Sequence, residues 1–261
     1  MSEYPRPVRL PGEPAPPREP YGRGGDREPP DVVDEEVDVF GAEEAAARVA
    51  LRIERVHPGA VALSADGRAL LSPPWDPGRD RVDGPSPPRS TLVVFGAHGT
   101  PASGPLGRVL AHVRERHGAT VAVSWRHYPD PAAHPNAVML ALAAEAAATR
   151  GRFWALTRQL LQARHHDPAD LHAAMLRVGL DPAPTLAAMR AGTGADRIVA
   201  DVTSALHSGV TYSPALFING ERYEGELDPG AVSAAFAPRD LRPTSRSEPP
   251  TGGRAGHTGR R

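Results

Sequence analysis

The apolar positions of residues 91–116, TLVVFGAHGTPASGPLGRVLAHVRER, change period halfway along. Leu92-Val93-Val94-Phe95 is an unbroken apolar run of the kind a buried strand shows. Gly96-Ala97-His98-Gly99 interrupts it. Leu106, Val109, Leu110 and Val113 then recur at helical spacing. Thr100 and Ser103 fall between the two patterns, at the N-terminus of the predicted helix. Gly118 reads as the residue that ends it. Thr120-Val121-Ala122-Val123-Ser124-Trp125 reads as a second buried strand. Strand, helix and strand at this spacing form a right-handed parallel unit.

The flanking patterns are shorter. Residues 42–56 predict a helix with Val49, Ile53 and Val56 on one face and Glu43 and Glu44 in the first turn, where the helix dipole favours them. Residues 60–72 read as a hairpin turning at Asp66-Gly67. Residues 73–89 form a loop crossed by a short edge strand over 80–83. From His134 to Ser208 the pattern is helical, with Asp167-Pro168 and Asp181-Pro182 as two cap pairs that open helices. Gly179 and Gly209 are stops. Residues 215–218, then Asn219-Gly220, then 222–224 predict strand, type I′ turn and strand. Asp228-Pro229 opens a last helix through Val232 and Phe236. Residues 1–36 and 238–261 are rich in Pro, Gly, Glu and Arg, and hold too little apolar surface to offset ordering entropy. They are expected to be disordered. The organisation is then 37–75 as a helix–hairpin extension and 76–237 as the main domain.

Composition removes several classes of function. The chain has 261 residues and a formal net charge of -1, which argues against a general nucleic-acid or anionic-membrane binder. Every Lys or Arg position is Arg. There is no cysteine, so disulfides, thiolate nucleophiles and Cys-ligated metals are excluded. The N-terminal residues carry no apolar signal core, and no stretch reaches the ~20 apolar residues of a membrane span. A cytoplasmic location is the expectation. No cofactor motif is present. His165, His166 and His172 lack a carboxylate at ligand spacing, so no metal site is expected there.

Several stretches carry a family resemblance. These are Asp76-Pro77-Gly78-Arg79-Asp80 through Gly84-Pro85, Arg126-His127-Tyr128-Pro129, His134-Pro135-Asn136-Ala137, Ala144-Glu145-Ala146-Ala147 leading to Gly151-Arg152-Phe153-Trp154 and, most specific, Gly209-Val210-Thr211-Tyr212-Ser213-Pro214-Ala215-Leu216-Phe217-Ile218-Asn219-Gly220. Together with the order β-α-β, helical block, hairpin, helix, they make residues 76–236 resemble the DsbA-type branch of the thioredoxin superfamily. The likeness is greatest to the thioredoxin-like domains that occur alone or fused to bacterial NhaA-type antiporters. The resemblance implies an α/β thioredoxin-like fold with an inserted helical block. It also implies a cis peptide bond into Pro214, facing the active-site helix. The family's Cys-x-x-Cys falls on Thr100-Pro101-Ala102-Ser103, with Pro101 retained. A hydroxyl has no disulfide state to cycle through, so the fold can be inherited here and the thiol–disulfide activity cannot.

Two readings of Thr100 and Ser103 stay open. They cap the helix, which is worth about 1 kcal/mol. Or they line a pocket, as in thioredoxin-fold glutathione transferases and isomerases that hold a substrate thiol with a hydroxyl. His98, just before the turn, and His127, after the second strand, are candidates for a base beside such a hydroxyl. Asp130 is the nearest acid in sequence. The expected function is a redox-inactive thioredoxin-like protein that binds a peptide or protein partner through a groove at Thr100, Pro101, Ser103, Ser213 and Pro214. The alternatives are a transferase or isomerase acting on a low-molecular-weight thiol, and an interaction module acting through residues 42–72 or the tails.

Overall fold

The 92–95 run is apolar throughout because both of its faces are covered. Leu92 and Val94 pack with Val109, Val113 and Trp125, while Val93 and Phe95 pack with Ala205 and Phe217. The structure, a computed structural model, describes residues 40–237. The disorder expected of 1–36 and 238–261 lies outside the described residues.

The elements in chain order are α1 (Phe40–Glu54), β1 (Arg81–Asp83), β2 (Ser90–Gly96), α2 (Ser103–His117), β3 (Val121–His127), α3 (Ala137–Ala148) and α4 (Phe153–Gln162). They continue with α5 (Pro168–Arg177), α6 (Pro182–Arg190), α7 (Ala195–His207), β4 (Ala215–Ile218), β5 (Glu221–Arg222) and α8 (Pro229–Ala234). The sheet has the order β1-β3-β2-β4-β5. Among the described residues only β2 and β3 run parallel, with Leu92 opposite Val123 and Phe95 opposite Arg126. β1 and β4 flank them antiparallel. Helices α3 to α7 are inserted between β3 and β4.

β3 alternates in a way its sequence half conceals. Val121, Val123 and Trp125 join the α2 side of the sheet. Ser124 and Arg126 turn to the other side, where Ser124 Oγ accepts from Trp75 Nε1 at 2.7 Å. Helix α3 is buried on every side from Ala137 to Ala147, the pattern of a helix at the centre of its own core. Around it pack Leu156 and Leu160 of α4, Leu186 and Met189 of α6, and Ile198 of α7. Ala42, Ala45, Ala46 and Val49 of α1 enter the same cluster. The N-terminal helix is therefore part of the helical block.

Local signals account for the termini. Asp167, Asp181 and Asp228 each accept a backbone N–H of the helix they precede, with Pro in the first turn. Asn219 and Gly220 both have positive φ, 52° and 85°, as a type I′ turn requires. The 60–72 hairpin closes through a single bridge, Leu63 to Ala69, and its second arm continues onto the sheet, Leu70 bridging Glu221 of β5. That arm covers the β5 edge: Leu71 N–H donates to Gly220 O at 2.8 Å.

Candidate functional site

Glycine lets the turn after β2 close on the core. A Cβ at Gly96 would lie 2.4 Å from the Trp125 ring, and Gly99, at φ 73°, would lie 2.7 Å from Leu140 Cδ1. The chain then reaches Ser103, the first residue of α2 and a buried one. Its Oγ accepts the Thr100 N–H at 3.0 Å, lies 3.3 Å from Thr100 Oγ1, and donates to Ala97 O at 3.4 Å. Ser103 thus ties the turn to itself. The position before α2 is Ala102, and no side chain caps the helix. This corrects the expectation of a hydroxyl cap. Ser103 already lies inside the first helical turn, so its hydroxyl reaches back to the loop instead of forward to a helical N–H.

Under the turn lies a stack of rings. His98 is fully buried, its ring 4.7 Å from that of Trp125 at an interplanar angle of 15°. Neither of its ring nitrogens has a hydrogen-bond partner. Burial, helped by the neighbouring His127 and His166, holds its pKa well below the usual 6.5. His127, also buried, has both nitrogens engaged. Trp125 Nε1–H donates to Nδ1 at 3.2 Å, and Nε2 is 3.1 Å from Glu145 Oε1. An acceptor at Nδ1 fixes the tautomer, so Nε2–H donates to the carboxylate. Glu145 is further held by Arg81, Nε to Oε1 at 3.2 Å, and by Arg197 at 3.7 Å. Burial alone raises its pKa, but hydrogen bonds from His127 and Arg81 outweigh it and bring it down to about 2.

Two more carboxylates complete the network. Asp201 accepts the His127 backbone N–H at 3.0 Å and an Arg79 donor at 3.1 Å. Burial raises its pKa against the pull of His127 and Arg79. Arg126, fully buried, meets Asp80 with two bonds of 2.8 and 3.0 Å and spends its other donors on Pro73 O, Pro74 O and Ser204 Oγ. No donor of that guanidinium is left over.

The predicted residues therefore separate. No hydrogen bond joins His98 or His127 to Thr100 or Ser103, and both rings are sealed from solvent. The orienting acid is Glu145 on α3. Asp130 instead accepts the N–H groups of Ala132 and Ala133 at 3.1 Å. Sequence reasoning gave no role to Glu145, Asp80, Asp201 or Arg126, although Glu145 carried a signal: it is the one charged residue in an otherwise apolar α3. His166 Nε2 lies 2.9 Å from Leu160 O, and no cluster of metal-ligating side chains occurs among the described residues.

Thr100 and Ser213 do come together. Both line an open groove of about 500 Å³, walled by Ile53, Glu54 and Val56 of α1 and the residues just after it, Tyr128 to Pro131, and Val202 and Leu206 of α7. The Ser213–Pro214 bond at its edge is cis. Pro101, Ser103 and Pro214 do not line it.

No protein-family model matches the chain. A protein of Salinispora tropica named Na(+)/H(+) antiporter NhaA 3 is 37% identical over 212 residues, which is 77% of this chain and 32% of that protein. The chain thus spans about a third of that relative's length. Oxidised BdbD from Bacillus subtilis superposes with a TM-score of 0.57 at 15% identity, over 65% of this chain and 96% of that one. A thioredoxin-like oxidoreductase from Silicibacter pomeroyi gives 0.54 at 20% identity, over 61% and 91%. At these identities the likeness is one of fold. The chain has a thioredoxin-like fold with a helical block inserted between β3 and β4, as in DsbA-type proteins. Among the described residues no helix is long and apolar enough to cross a membrane.

Proposed function

We propose that this chain is a redox-inactive thioredoxin-like protein that binds an extended peptide or protein segment along the groove between Thr100 and Ser213. The observation that carries the reading is that one open groove is bordered by both the cysteine-less turn and the loop into Pro214, while the imidazoles behind the turn are committed elsewhere or sealed in the core. A binding surface fits that arrangement. A hydroxyl nucleophile fits it less well, because the Thr100 hydroxyl meets only that of Ser103 and is hydrogen-bonded to no base. Backbone pairing with an extended segment needs no sulfur. The antiporter-named relative makes a segment of such a transporter the first partner to try.

The experiment is fluorescence anisotropy with labelled extended peptides against the wild type and Thr211→Trp, which fills the groove from an exposed position. We expect saturable binding that Thr211→Trp weakens by about tenfold, the loss of one well-packed contact region. Binding insensitive to Thr211→Trp overturns the groove. Turnover of a low-molecular-weight thiol that disappears in Thr100→Val establishes the transferase or isomerase reading instead.

A further inference from the structure

The groove has a sign of charge as well as a shape. Its lining includes two carboxylates, Glu54 on α1 and Asp130 after β3, and no arginine. The chain carries 30 Lys and Arg residues, so an arginine-free wall is notable. Some carboxylates elsewhere on the surface meet guanidiniums: Asp83 holds Arg114 and Arg158, and Asp196 holds Arg52 of α1 at 2.7 Å. Glu54 and Asp130 pair with no cation among the described residues. Two basic groups lie in or beside the groove. His134 lines the groove with them. Arg222, whose guanidinium sits 5.2 Å from the Tyr212 ring centroid, donates to Gly209 O at 2.7 Å and meets Glu224 at 3.3 Å. The lining also has an apolar part, with Ile53, Val56, Val202 and Leu206.

We propose that α1 converts this groove into a site for a cationic segment, an extended peptide that places an arginine or lysine between Glu54 and Asp130 with apolar neighbours against Ile53, Val56, Val202 and Leu206. The inference rests on the groove reading above and adds the charge of the occupant. Two acidic groups without a cation of their own attract a positive side chain and disfavour a negative one. The N-terminal helix supplies one of the two charges, so the extension shapes what the groove accepts.

The test uses three peptides of one length and otherwise identical apolar sequence, with arginine, citrulline or glutamate at the centre. Each is titrated by anisotropy at low and high salt against the wild type, Thr211→Trp and Glu54→Gln/Asp130→Asn. The Asp130→Asn change keeps a side-chain oxygen for the Ala132 and Ala133 N–H groups, so the loop is preserved. We expect arginine to bind roughly fivefold tighter than citrulline, the scale of exposed charge pairs, and glutamate weakest. The gap should shrink with salt and close in the double variant. Equal affinity for arginine and citrulline, with both weakened by Thr211→Trp, overturns the charge preference and leaves the groove standing. So does a preference for glutamate. If none of the three peptides binds, or if Thr211→Trp changes nothing, the groove and the inference fall together.

Discussion

Two neighbouring regions of the fold use polar groups in opposite ways. At the turn before α2, Thr100 and Ser103 bond mainly to each other and to loop backbone. At the end of β3, Arg126, His127, Glu145, Asp80 and Asp201 form buried ion pairs and charge-assisted hydrogen bonds. The first region holds no cysteine. The second ties the inserted helical block to the sheet, because Glu145 lies on α3, Asp201 and Ser204 on α7, and their partners on β1, β3 and the loop before β1. The contrast teaches that the costly polar groups of this chain serve architecture and lie beneath the turn. The turn itself is held by weak, replaceable contacts.

The largest test of that contrast is Arg126→Met. It leaves Asp80, whose side chain is fully buried, without its bidentate partner. Removing one member of such a pair costs about 3–5 kcal/mol, read as a lower denaturation midpoint in urea. Arg126→Met/Asp80→Leu should recover part of the loss, because Asp80, which in the single variant keeps only Arg79 at 2.9 Å and the Asp76 N–H, is then no longer a buried carboxylate short of donors. A loss under about 1 kcal/mol for the single variant, the scale of an exposed pair, would mean the network is not what joins block to sheet.

Next in size is an acid effect. The folded-state pKa of Glu145 lies at about 2, below its ordinary 4.5. A depressed carboxylate pKa contributes stability that is complete above pH 4.5 and is lost as pH falls toward 2. The linkage is worth about 3 kcal/mol over that window. Asp201 works the other way: burial raises its pKa, so its protonation in acid favours the folded state. The readout is therefore the difference between wild type and Glu145→Gln in urea titrations from neutral pH downward. The wild-type advantage should fade below pH 4.5. An advantage that is constant with pH would remove the His127–Glu145–Arg81 linkage from the account.

How much of this was legible in the sequence follows from range. The 92–95 run, the α2 spacing, the three Asp-Pro caps and the Asn219-Gly220 turn are local patterns, and each forms as its residues predict. The buried network is not local. Arg126 follows Trp125 in an apolar strand, and only the alternation of β3 sends it to the α7 face. Its partner lies 46 positions earlier. Glu145 meets His127 across 18 positions and Arg81 across 64. Nothing in spacing joins such residues, although a lone Glu in an apolar helix is a cue that it must find a partner. The groove was half legible. Thr100 and Ser213 share it, while the wall supplied by α1 depends on how that helix docks against the inserted block.

The smallest effect separates the two hydroxyls that the sequence treats as a pair. Ser103 accepts the Thr100 N–H and donates to Ala97 O, so Ser103→Ala strips a partner from a half-buried amide. That should cost about 1 kcal/mol. Thr100→Val keeps its own N–H bonded to Ser103 and gives up only the 3.3 Å contact between hydroxyls, so its cost should stay within about 0.5 kcal/mol. Urea titrations of the two variants side by side read the difference. Equal costs would mean that the hydroxyl pair, and not the backbone-to-Ser103 bond, holds the turn, and the division between a fixed interior and a replaceable turn would then run through Thr100 itself.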